Sequence, residues 1–159
     1  NVAVSLKDGV VFDGRGCKFV RAGVSGDTVT NQFWFFSNLV TAATLSDFGV
    51  INAVFENTGD VNVYVNGVNF FAGTSSKAAG FIKRPIAKNL RGIETRVLVK
   101  SYDDDTASTV GKIFDGVFHN LHVDECGSAV LAIQSDVRPD IRNISANVAA
   151  VTRLEKNQN

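Results

Sequence analysis

The apolar positions of this chain recur in short runs rather than in helical stripes. The plainest case lies between Ile113 and Ala146. Phe118, Leu121 and Val123 are apolar at offsets 0, 3 and 5, and Ile141, Ile144 and Ala146 repeat those offsets further along the chain. Asn120 and Asn143 fall at the same place in the two copies, one position before the second apolar side chain. A recurrence of about 20–25 residues in short β-type runs points to stacked coils, whose equivalent side chains lie about 4.8 Å apart. Apolar over apolar makes core, and Asn over Asn passes a hydrogen bond from one layer to the next. Looser copies start at Phe48, Val68 and Leu90, ahead of those at Phe118 and Ile141. The polar run Tyr102–Thr109 reads as a loop inserted into the longest interval, the one between Leu90 and Phe118.

The same pattern predicts the elements. Val2–Leu6, Val10–Phe12 and Cys17–Val20 read as three short strands separated by tight turns. Phe33-Trp34-Phe35-Phe36 reads as a strand with two rings inward and two outward. Phe48–Glu56, Val61–Val65, Val68–Phe71 and Glu94–Lys100 read as further strands, and Val148–Val151 is the last apolar run. Asn66-Gly67 is a hairpin-type turn signal. The stretch 74–92 reads as an excursion from the main body with at most a short helix, because Pro85 interrupts any longer one.

Composition agrees with a β fold. Phe is frequent (12), Gly high (14) and Pro low (2), with Val, Ile, Phe and Thr dominating the apolar runs. The 159 residues suit one domain, 1–159, and 45% apolar residues suffice for a core. Lys+Arg and Asp+Glu are both 16, so bulk charge points to neither nucleic acid nor membrane, and no run is long enough to insert into a bilayer. A chain with no Met that starts at Asn1 is expected to be part of something longer. Cys17 and Cys126 make no disulfide framework, and buried free thiols are the plainer account.

The run Leu6-Lys-Asp-Gly9-Val-Val-Phe-Asp13-Gly14-Arg-Gly16-Cys-Lys-Phe19 resembles the first coils of right-handed parallel β-helices of the pectate-lyase-like superfamily, phage tailspikes among them. Gly49–Gly59 and Gly116–Gly127 are similar to interior coils of that class. The resemblance covers most of the chain as texture and carries no catalytic signature. It implies an all-β, right-handed parallel β-helix of about six coils, with a β-sandwich as the alternative fold. It also implies a homotrimer on the virion tail or outside the cell that recognises bacterial polysaccharide or lipopolysaccharide, and often cleaves it.

Candidate chemistry follows from that expectation. Glycoside hydrolysis needs a carboxylate pair, and Asp124, Glu125 and Asp140 are the candidates, with solvated turn acids as the plainer account. Adjacent Asp124 and Glu125 are expected on opposite faces of a strand. So are His119 and His122, three apart, which leaves no metal site. His122 remains a candidate sugar partner. Trp34, Tyr64 and Tyr102 could stack on sugar rings, and Lys83 and Arg84, in the basic stretch Lys77–Arg91, could hold acidic sugars. Asp103–Asp105 could offer oxygens to calcium but lacks the rest of such a loop. No nucleophile elbow supports serine chemistry, and no cofactor is expected. An enzyme, a binding domain and a structural stalk all stay open.

Overall fold

The computed structural model describes residues 2–22, 32–38, 44–59, 64–72, 81–102, 113–125, 127–133 and 136–147. The Asp103–Asp105 run, Cys126 and the run 148–151 lie outside these residues. So does most of the stretch read as strand 61–65. The described elements are all strands: β1 (Val2–Ser5), β2 (Val11–Asp13), β3 (Lys18–Arg21), β4 (Phe33–Ser37), β5 (Leu45–Asn57), β6 (Val65–Phe71), β7 (Ile82–Ile93), β8 (Val97–Tyr102), β9 (Ile113–Phe114), β10 (Val117–Asp124), β11 (Ala129–Ile133), β12 (Asp136–Val137) and β13 (Asp140–Asn147).

They form two sheets, one of order β1-β4-β6-β8-β11 and an eight-stranded one in which β2 and β3 lead through β5 and β7 to β9 and β10 and then to β12 and β13. Each pairing between described strands is parallel. That overturns the antiparallel β-sandwich alternative. It also corrects the hairpin signal: Asn66-Gly67 lies inside β6, where a Cβ on Gly67 would strike the Leu98 carbonyl.

The interval between layers differs between the sheets. In the five-stranded sheet it is nearly even: Val2 pairs with Trp34, Trp34 with Asn66 and Val68 with Val99. In the other sheet Val11, Gly49, Ile86, Val117 and Asp140 form one register column, and the steps along it shorten. Side-chain bonds in the same layers mark the change: Asn52 and Asn89 are 37 apart in sequence, Asn89 and Asn120 are 31 apart, and Asn120 and Asn143 are 23 apart. The repeat between 118 and 141 is therefore real: Phe118 faces Ile141, Leu121 faces Ile144 and Val123 faces Ala146. The earlier starts are misaligned. Val50, not Phe48, continues through Ala87 to Phe118, and Val68 belongs to the other sheet, between Phe36 and Val99.

Corners set this geometry. The long strands bend at non-glycine residues of positive φ, and these recur at every fifth position: Asp47 and Asn52, then Arg84, Asn89 and Glu94, then Asp115, Asn120 and Glu125, then Arg138 and Asn143. A left-handed residue reverses the alternation of side chains. The first and third residues after a corner are therefore buried, as at Phe48 and Val50, Ala53 and Phe55, Ala87, Leu90, Phe118, Leu121 and Val123. The stretch 82–93 is thus β7, a central strand, and not an excursion. Pro85 fits because it follows the corner at Arg84 and turns inward.

The corners also correct the two histidines. His119 and His122 flank the corner at Asn120 and both point away from the core, on adjoining faces, with side chains 19% and 33% exposed. The aromatic block departs from alternation too. Phe35 and Phe36 both enter the core and Phe33 packs against it, while Trp34 is buried outside that cluster. Rings of Phe12, Phe19, Phe35, Phe36 and Phe55 fill one end of the interior, and Phe48, Phe70 and Phe118 continue along it. Cys17 is exposed rather than buried, because it sits in the turn after Gly16.

Candidate functional site

The outer face of the five-stranded sheet carries a groove of about 230 Å³. Its floor is one register column, Trp34, Asn66, Val97 and Ala129. Its wall is Gln32, Tyr64, Arg96 and Ser128, evenly spaced in sequence, where the chain enters four successive strands. Lys100 and Ala132, paired neighbours on β8 and β11, close the far side. Among the described residues, the lining holds no carboxylate.

Three of the polar groups there have a fixed posture. The Arg96 guanidinium lies over the Tyr64 ring, Cζ 3.3 Å from its centroid. Burial lowers its pKa, and Nη1 is buried with no hydrogen-bond partner among the described residues. Asn66 donates its amide to the carbonyls of Phe33 and Tyr64, which leaves Oδ1 to accept. Lys100 Nζ sits 3.7 Å over the Tyr102 ring. The lining thus sets two aromatic side chains beside directional donors.

A second polar cluster lies on the outer face of the other sheet. Arg91 grips Asp124 through Nε and Nη2, both at 2.6 Å. Asn147 donates to the same carboxylate at 3.0 Å. With its proton on Nε2, His122 donates to Asp124 at 3.1 Å and accepts from the Ser145 hydroxyl at 2.8 Å. The His122 bond foremost, then Arg91, hold the Asp124 carboxyl down to about 2. Across the Asn120 corner, Asp140 is held below the usual carboxylate range by Arg142, bonded at 2.8 and 3.0 Å, with His119 assisting. His119 Nε2 lies 3.0 Å from Asp140 but off the line of a hydrogen bond.

The sequence candidates therefore divide. Asp124 and His122 meet, although Asp124 and Glu125 do not share a face; Glu125 is a corner residue whose N–H donates to the Asn147 carbonyl. Asp140 stands with His119 and Arg142 instead. Arg84 is a corner residue paired with Asp47, and Lys83 is exposed beside it, both on the sheet opposite Trp34. Tyr102 packs on Phe71, ring centroids 4.8 Å apart, outside the groove lining. Trp34 lines the groove. Arg96, Asn66 and Gln32 were missed; the only signal was the even spacing of the wall, which its differing residue types conceal.

A hydrolase would need one carboxyl kept protonated near neutrality. Asp124 and Asp140 are both pushed the other way. Asp136 is pushed up to about 6, chiefly by burial, with the nearby Asp115 charge adding to it and the Gly116 backbone opposing. It is turned inward, however: its Oδ2 and the Phe118 ring fill the space a side chain at Gly116 would need. No family model, no curated protein and no solved structure matches this chain.

Proposed function

We propose that this chain is the polysaccharide-binding domain of a phage tailspike or related receptor-binding protein, with the groove on the five-stranded sheet as its sugar site. In this reading the two parallel sheets are faces of one right-handed parallel β-helix. The strong preference for right-handed crossovers between parallel strands supports that hand. The described strands would make five coils rather than about six, since the smaller sheet has five strands. The working unit would be a homotrimer on the virion tail, as the family resemblance implies.

The observation that carries the proposal is the groove itself, with Trp34 and Tyr64 beside Arg96, Asn66 and Lys100 on a face remote from the core. Its test is to mix the chain with purified surface polysaccharides from candidate hosts and follow both binding and polymer length. Retention of one polysaccharide without shortening, weakened about tenfold or more in Trp34→Ala, is the expected result. Shortening that survives Trp34→Ala would place an enzyme elsewhere on the molecule and sink the proposal. Light scattering on the same sample reads the oligomeric state.

A further inference from the structure

Five of the described arginines follow an inverted rule. Arg84, Arg91, Arg138 and Arg142 have side chains 56–72% exposed, where water alone would suffice, and each holds an aspartate. Arg96 is more deeply placed, its Nη1 out of contact with solvent, yet the described lining around it offers no carboxylate. Even partial desolvation of a guanidinium without a counter-charge carries a cost. Stacking on Tyr64 fixes the plane of the group and leaves its N–H edge as the hydrogen-bonding side. Lys100 adds a second cation to the same lining.

We infer that the groove is selective for an acidic sugar, with Arg96 receiving the sugar's carboxylate and Trp34 stacking on a ring beside it. The inference rests on the groove being a sugar site and names the class of sugar. A planar carboxylate matches the paired N–H donors of a guanidinium whose plane is already set, so little freedom is lost on binding. Neutral sugars would leave the guanidinium without a counter-charge and would lose by that difference.

Trp34 is the sole tryptophan of the chain, so intrinsic tryptophan fluorescence reports the groove alone. The chain is titrated with short oligosaccharides ending in glucuronate, galacturonate or N-acetylneuraminate, with the methyl ester of each, and with inorganic phosphate. At least one free acid is expected to perturb Trp34 about tenfold more tightly than its ester, a preference lost in Arg96→Met and reduced in Arg96→Lys, which keeps the charge but not the fork. Thermal unfolding of both variants checks that they fold, and Arg96→Lys carries the test if Arg96→Met does not. Acids and esters binding alike, unchanged by either substitution, would overturn the inference while leaving a neutral-sugar groove in place. Phosphate binding more tightly than every acid would overturn it in favour of a phosphoryl group. Silence of Trp34 toward all the sugars would overturn both this inference and the sugar groove.

Discussion

The two outward faces of this protein treat polar side chains in opposite ways. On the eight-stranded sheet they are consumed from strand to strand. Asn143 donates to Asn120, Asn120 to Asn89, Asn89 to Asn52 and Asn52 to Asp13, with distances of 2.8–3.0 Å throughout. The neighbouring corner column alternates charge instead, Asp47 with Arg84 and Asp115 with Arg138. On the five-stranded sheet, the groove keeps Arg96 Nη1 unbonded among the described residues and aromatic faces to one side. Parallel stacking brings like positions together, so a repeated polar residue finds its partner in the next layer. Where the residue changes with each layer, as in Gln32, Tyr64, Arg96 and Ser128, the next layer offers no copy to bond, and Arg96 Nη1 stays unbonded among the described residues. Self-satisfied columns are architecture, and unanswered ones leave polar groups unmatched.

The asparagine column is most sensitive at its middle. Asn120→Ala removes two side-chain bonds and forces a Cβ residue without a polar tip to hold φ of 53°. A loss of about 2 kcal/mol in urea unfolding is expected, against about 1 kcal/mol for Asn120→Gly, which tolerates that φ. Equal losses would mean that the bonds alone matter, and no loss in either would deny the column a structural role.

Asp136 is the flaw on the partnered side, its two carboxyl oxygens buried without a hydrogen-bond partner among the described residues. Its folded pKa of about 6 lies above the ordinary 3.8, so protonation favours the fold. The resulting stability is full below pH 3.8 and is lost as pH rises through about 6. The whole shift corresponds to about 3 kcal/mol, which partial exposure reduces to about 1. Asp136→Asn should therefore gain about 1 kcal/mol at pH 7.5 and almost nothing at pH 4, as followed by thermal unfolding across pH. A gain independent of pH would assign the effect to packing.

The smallest effect is expected at Asp124. Its carboxyl titrates near 2 instead of 3.8, so it stabilises the fold above that range and ceases to as pH falls from 3.8 to 2. On an open face the contribution is a few tenths of a kcal/mol. Asp124→Asn should remove it at pH 7 without changing Trp34 fluorescence on sugar binding. A large loss of binding would move the site to this face.

Much of the architecture was legible from a single repeat. The offsets of Phe118, Leu121 and Val123, with Asn120 above Asn143, are in register in the folded chain. The rest escaped because the corners are defined by backbone conformation and not by residue type. Asp47, Arg84, Asp115 and Arg138 occupy one column yet look unrelated in sequence. Reading alternation through such a corner puts His119 and His122 on opposite sides, and a basic stretch broken by Pro85 passes for an excursion. Trp34 could be singled out by type, but Arg96 could not, since its groove neighbours come from four segments of chain.

The shrinking interval on the eight-stranded side, seen in the asparagine column, has an evolutionary consequence. Corners stay aligned while the length of chain between them varies, so additions and deletions go into connectors without shearing the stack. Their entropic burden grows only with the logarithm of length. Meanwhile the groove wall of Gln32, Tyr64, Arg96 and Ser128 keeps a constant cadence. Such a body can change its connectors freely while the groove it carries is held to a fixed beat.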